Sequence, residues 1–513
     1  MVLPTPVPFP RAPDGPAASP APRADCTTMA LPAQPVPSCP PSSAYRFTAA
    51  PELRMAVTPH GLDERPVHRW GWLAHSFGPE LVDWALRRVG VPERGVVLDA
   101  FCGAGSALVA ARSRGLTALG TDLSPWSLLL SRLKAAAPGR LEPEALRDAA
   151  SRVEAPSRRR GGVGAPFAAP DDVALARMLA PAVRAEALRI AGTATSGADG
   201  PDGALVADAL LVALLGALPE HALLVRKGGW LAWAGDAGSA EGVRHDAAAL
   251  RRSVAERLRA MAGDLDGGLF GADPATGAGG PAAAVLRADA RELPLADRSV
   301  DLVVTSPPYA NRHDYTRAYA LELAFLVEER ELRRFRAAHF ESHPEARPPG
   351  RWREAGAFVP KSALDAAAEV ERRAVGAGDR STLRYRVPRM LRGYGADAAV
   401  CASELARVVR PGGAVALVVG NSSYAGVEYA ADLVWAEALE AAGLVVEEVA
   451  VARERAPSPQ QTLRGASLRR RESVVVARRD GASVREHGAP GSKARRIAGT
   501  ASWMRSQDAL IPH

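Results

Sequence analysis

The sequence predicts an α/β protein on a doubly wound, mostly parallel sheet carrying helical insertions. A β-rich run, "GVVLDAFCGAGS", enters a glycine loop and is followed by the helix-patterned "ALVAARSRG" and a second strand, "LTALGTDLS". The next segment, "PWSLLLSRLKAAA", is again helical in pattern, and this alternation indicates parallel strands joined by crossover helices. After residue 284 the strand pattern resumes with "AAVLRADAREL", "SVDLVVTS", "GGAVALVVGNS", "LVVEEVAVARE" and "ESVVVARR".

The bulk properties fit this class. The chain has 513 residues, 47% of them hydrophobic, enough for two or three domains or one domain enlarged by insertions. Lys and Arg number 64 against 57 Asp and Glu, a formal charge of +7 that suits a polyanionic partner without requiring one. The four cysteines, Cys26, Cys39, Cys102 and Cys401, have neither zinc-site nor disulfide-framework spacing, which points to a reducing, cytoplasmic setting. The apolar runs are interrupted by Arg, Asp or Gly and read as too short to span a bilayer.

Along the chain, residues 1–44 are rich in Pro, Ala and Ser and cannot bury enough apolar area to offset ordering, so they read as disordered. Residues 45–137 hold the first part of the sheet; there "PELVDWALRRVG" has helical spacing, with Gly90 as its stop. Residues 138–284 read as a mostly helical insertion, 285–329 as the return to the sheet, and 330–396 as an Arg-rich insertion suited to nucleic-acid contact. Residues 397–480 complete the sheet, and 481–513 read as a disordered tail.

The chemistry concentrates at strand ends. Asp99 closes the first strand, and Gly103 and Gly105 allow the backbone of the following loop to approach a ligand closely. Asp122 ends the next strand, where an acid can accept from ribose hydroxyls, while Ser124 suits the N-cap of the helix opening at Pro125. Asp289 ends a third strand and could accept from an adenine amino group or stand as a solvated loop carboxylate. No Lys follows the glycine loop as in G-K-[ST], and the third glycine of the dinucleotide fingerprint is missing, so a nucleoside without phosphates fits better. At Ser306-Pro307-Pro308-Tyr309 an apolar strand ends in a stiff shelf poor in N–H donors.

Taken in order, "DAFCGAGS", "GTDLSP", "ADARELP" and "TSPPY" resemble motifs I to IV of the class I S-adenosylmethionine-dependent methyltransferases. The SPPY tetrapeptide is similar to that of the DNA amino-methyltransferases acting on cytosine N4 or adenine N6. "AHSFGPELVDWAL" resembles their motif X, and "NRHDYTRAYALELAFL" and "VVRPGGAVALVVGNS" their later motifs. The resemblance covers about 75–135 and 284–480 and implies a seven-stranded Rossmann-like sheet. It implies cofactor contacts from Phe77, Asp99, Ala100, Phe101, Cys102, Gly103, Gly105, Asp122, Leu123, Asp289 and Ala290. It implies catalysis by Ser306, Pro307, Pro308 and Tyr309, with S-adenosylmethionine and no metal.

In this reading the Ser306 hydroxyl and Pro307 carbonyl hold the amine hydrogens of a flipped base, and Tyr309 stacks on that base. Ser at 306, where Asp is commoner among adenine enzymes, favours cytosine N4. DNA is the implied partner, with room for a cognate restriction nuclease. The alternatives are methylation of an RNA base amine or of a protein glutamine, and a catalytically silent nucleic-acid-binding scaffold. A cytosine-C5 enzyme would need a nucleophilic Cys after Pro, which none of the four cysteines supplies.

Overall fold

The computed structural model describes residues 45–71, 73–74, 76–155, 167–196, 200–227, 230–233, 246–267, 282–311, 313–346, 358–376, 382–455 and 470–481. The segments read as disordered, 1–44 and those beyond Gly481, lie outside the described residues, as does the loop between Arg455 and Arg470.

In chain order the strands are β1 (Phe47–Ala49), β2 (Val96–Asp99), β3 (Thr117–Asp122), β4 (Leu224–Lys227), β5 (Trp230–Trp233) and β6 (Ala283–Arg287). They continue with β7 (Val300–Thr305), β8 (Val409–Gly420), β9 (Ser422–Tyr424), β10 (Val427–Tyr429), β11 (Val445–Arg455) and β12 (Arg470–Arg478). Eight of them form one sheet in the order β1-β11-β12-β8-β7-β2-β3-β6, in which β12 runs antiparallel to both neighbours and every other pairing is parallel. The other four pair as the hairpins β4–β5 and β9–β10.

The sheet thus has eight strands, not the seven that the motif resemblance implied. The additional one is β1, three residues long, which pairs parallel to β11 through Phe47↔Val449, Thr48↔Ala450 and Ala49↔Val451. It lies upstream of the first motif and is too short for periodicity to reveal it. Its position covers part of an otherwise open edge.

Alternation along the strands explains the double winding. Leu302 and Val304 face one side with Ala414, Ala416 and Val418, packing on the helices Pro79–Val89 and Ser106–Arg112. Val303 faces the other side with Val415, Leu417 and Val419, against the helices Lys361–Gly376, Thr382–Val408 and Ala431–Ala441. Both faces of a central strand are therefore buried, which gives β7 its continuous apolar run.

A separate core joins the helices between 143 and 266 to the segment 67–73 and to the helix Ala320–Leu326. Within it, the window Gly203–Glu220 is apolar and long enough to cross a membrane by length and composition, a correction to the sequence reading. Instead, 67% of that window is buried among neighbouring elements. Many arginines of the second insertion are engaged: Arg336 with Asp314, Arg389 with Glu341, Arg392 with Glu371 and Arg373 with Glu369. Arg330 and Arg334 are exposed.

Candidate active site

The carboxyl ends of β2, β3, β6 and β7 open into one cleft enclosing about 1030 Å³, part of it open to solvent. It lies where the strand order reverses, because the chain leaves β2 toward β3 and β6 and returns on the other side at β7. Open α/β sheets bind ligands at such a point.

Gly103 and Gly105 both adopt the left-handed region, with φ of +47° and +79°. Gly103 lines the cleft, whereas Gly105 does not. A Cβ at 105 would come within 3.0 Å of Ser131 Cα, so that glycine lets the helix Ser106–Arg112 close on the helix Pro125–Ala136. Cys102 packs beside Gly120, and burial pushes its thiol well up from the ordinary range.

The two strand-end acids face the cleft. Asp99 Oδ1 accepts from Thr305 Oγ1 at 2.6 Å and from the Phe101 N–H at 3.1 Å. Burial raises its pKa to about 7; those two hydrogen bonds oppose the rise and the nearby Asp122 charge adds to it. Asp122 joins two loops, Oδ2 accepting from the Gly103 N–H at 2.9 Å and Oδ1 from the Ser124 N–H at 2.8 Å. Ser124 takes the helix cap, its side chain accepting from the Ser127 N–H. Burial raises the Asp122 pKa as well, against the same backbone donors.

Asp289 and Ala290 lie in the cleft wall, but both Asp289 oxygens are engaged by the buried Arg291. That guanidinium also donates to the Ala338 carbonyl at 2.6 Å and pairs with Asp397 at 3.1 Å. Ser106 presents a buried hydroxyl to the cleft with no hydrogen-bond partner among the described residues. It and the remaining lone pairs of Asp122 are polar capacity in the cleft lining that a ligand could satisfy.

Another stretch of the cleft wall is formed by Leu73, Ala74, Ser76 and the buried Phe77. That wall is held at its root by two buried groups. Asp264, on the helix Ala247–Asp266, accepts from the Val67 N–H at 2.9 Å and from Trp70 Nε1 at 2.8 Å, and it pairs with Arg69. Lys134 Nζ donates to the His68 carbonyl at 2.9 Å and to the Gly71 carbonyl. Burial lowers the Lys134 pKa to about 7. Higher up, the Ala74 N–H donates to the Tyr319 hydroxyl at 2.7 Å.

Ser306, Pro307 and Pro308 line the same cleft, on the β7 side. Tyr309 is not among the lining residues. Its side chain is buried, with the residue 4% exposed, and its hydroxyl donates to Glu472 Oε1 at 3.0 Å. The Asn311 side chain then accepts from the His313 N–H, and Asp314 caps the short helix Tyr315–Ala318 while pairing with Arg336. Among the described residues, no group of three or more His, Cys, Asp or Glu side chains could hold a metal ion.

Sequence reasoning missed Asp264, Lys134, Tyr319 and Glu472, whose partners lie far away along the chain. Arg291 could have been found, because a cation two residues after a strand-end acid can fold back onto it.

No family model matches the chain. By sequence it is 34% identical to the type II methyltransferase M.AvaI of Nostoc sp. over 161 residues, 29% of this chain and 32% of that protein. It is likewise 34% identical to the type II methyltransferase M.BsoBI of Geobacillus stearothermophilus over 146 residues, 25% of this chain and 28% of that one. The chain therefore spans about a third of the length of the curated relatives it matches. Solved structures superpose only loosely. A geranyl diphosphate methyltransferase in complex with SAM gives a TM-score of 0.26 at 10% identity, covering 85% of this chain and 98% of that one. The rRNA methyltransferase aviRa of Streptomyces viridochromogenes gives 0.24 at 13%, covering 81% and 85%. Over the stretch it shares with M.AvaI and M.BsoBI, the chain is a sequence relative of the type II methyltransferases.

Proposed function

We propose that the chain is a site-specific DNA methyltransferase acting on the exocyclic amine of an extrahelical base, cytosine N4 in preference to adenine N6. The observation that carries this reading is the single cleft lined both by the glycine loop with Asp122 and by Ser306-Pro307-Pro308. The similarity to two type II methyltransferases supports DNA as the substrate.

S-adenosylmethionine would be held by Phe77, the loop from Asp99 to Gly103, Asp122 and Leu123, with Asp289 and Ala290 at the far wall; when bound it supplies an electrophilic sulfonium methyl. The shelf works on the other reactant. An exocyclic amine is a poor nucleophile because its lone pair is conjugated into the ring. Acceptors aimed at its two hydrogens favour the tetrahedral nitrogen that attack requires and stabilise the positive charge developing there. The Ser306 hydroxyl and Pro307 carbonyl are such acceptors, and the prolines bring no competing N–H. Holding amine and methyl in one cleft supplies proximity without a strong base. Ser306 in place of Asp favours cytosine.

The test is incubation of the protein and of Ser306→Ala with unmethylated DNA and methyl-labelled S-adenosylmethionine, followed by digestion to nucleosides and mass spectrometry. N4-methylcytosine from the unaltered protein, at least about tenfold reduced in the variant, is the expected result. N6-methyladenine would overturn the choice of base. Label in RNA or protein but not in DNA would overturn the substrate class.

A further inference from the structure

Three residues directly paired across the sheet build a mount for Tyr309. Gly420 of β8 is opposite Glu472 of β12, and Glu472 is opposite Arg453 of β11. Side chains of directly paired residues share a sheet face, so this row presents a gap, a carboxylate and a guanidinium in sequence. The gap receives the tyrosine ring: a Cβ at 420 would lie 2.7 Å from Tyr309 Cε2 and 2.9 Å from Cδ2. The buried carboxylate accepts from the phenol at 3.0 Å through Oε1, and Arg453 pairs with it through Oε2. A second tyrosine fixes the next residue, the Tyr424 hydroxyl donating to the Ala310 carbonyl at 2.6 Å.

The sequence reading gave Tyr309 a stacking role in the cleft. Its ring instead lies against Gly420, with its hydroxyl committed to a charged acceptor. A hydrogen bond to a buried carboxylate is among the stronger single contacts in a protein, and breaking it would leave that carboxylate short of a donor.

We infer that Glu472, seated by Arg453, is a positioning residue for methyl transfer that acts through Tyr309, fixing Ser306 and Pro307 at the angle the amine requires. Tyr309 is then the root of the shelf and not a platform for the base. This rests on the proposed amino-methyltransferase reading. It adds residues at the far end of the chain to a motif otherwise confined to four consecutive positions.

The experiment is a double-mutant cycle on Tyr309→Phe and Glu472→Gln, with Tyr309→Ala alongside. Single-turnover methylation of DNA, the Kd for S-adenosylmethionine and Tm are measured for each. The expected result is that Tyr309→Phe and Glu472→Gln each slow transfer at least about tenfold at saturating cofactor. The double variant should be no slower than the slower single one, and cofactor Kd should stay within about twofold of the unaltered protein's. A merely structural role would lower Tm while leaving the saturated rate unchanged, and that overturns the inference. So would full rate in Tyr309→Phe beside loss of activity in Tyr309→Ala, the pattern of a stacking ring. If Glu472→Gln does not fold, Tyr309→Phe decides alone, because it leaves the Glu472–Arg453 pair in place. Absence of DNA methylation by the unaltered protein would instead count against the proposed function.

Discussion

Replacing Asp264 by Ala tests whether the helical insertion braces the cofactor wall. Its carboxylate receives the Val67 N–H and the Trp70 indole N–H, and both residues are buried. In the Ala variant neither donor has an acceptor in reach, at about 1–3 kcal/mol each. Arg69, its third partner, keeps 38% of its side chain exposed and can turn to water, so it adds little. Relief of the buried charge offsets part of the loss, leaving a net destabilisation of about 2–4 kcal/mol. Urea unfolding followed by intrinsic fluorescence reads this directly. Because Leu73, Ala74, Ser76 and Phe77 continue from the braced segment into the cleft, cofactor Kd should also rise at least about tenfold under conditions where the variant is folded. A loss of stability under about 1 kcal/mol with unchanged Kd would refute the brace.

Two further outcomes follow from single contacts. Gly420→Ala puts a methyl against the Tyr309 ring, so it should cost about 1–3 kcal/mol by overpacking and slow methyl transfer while cofactor Kd is kept; equal rates would show that the ring has room. Asp99, with a pKa of about 7 against an ordinary 3.8, contributes stability that is fully present below about pH 4 and is lost as pH rises through 7. Asp99→Asn should therefore gain on the unaltered protein between pH 4 and 7 by roughly a few kcal/mol, and parallel pH curves from urea unfolding would contradict this.

What the sequence made legible is what local chemistry decides. Gly90 ends its helix in the left-handed conformation, the strand before the shelf stops at Thr305, and Asp99 and Asp122 close β2 and β3. Each follows from a residue's own backbone preference or from a periodicity of two. The hairpin of β4 and β5 was open to the same reasoning, since Gly228-Gly229 separates two apolar runs. Other features depend on partners that only the folded chain supplies. β1 has too few residues to show a pattern, and its pairing is set by the edge of β11, 400 positions away between Thr48 and Glu448. The pairing of Asp289 with Arg291, whose orientation is fixed in turn by Asp397, is likewise set by the folded chain. The burial of Tyr309 was hidden because nothing in "TSPPY" reveals a glycine at 420 or an acid at 472.

The mount beneath Tyr309 also bears on the order in which the protein is made. The glycine loop precedes both parts of the mount, and the acid that seats Tyr309 lies 163 residues after that tyrosine, in β12. The cofactor wall waits similarly, for an acid 197 residues after Val67 and for a tyrosine 245 residues after Ala74. Contacts of such separation form only after the intervening chain has emerged and closed on itself. A nascent chain can therefore carry every recognisable motif before the acid that seats Tyr309 has emerged. A product truncated before β12 would keep the glycine loop and the SPPY shelf and lack the acid that seats Tyr309.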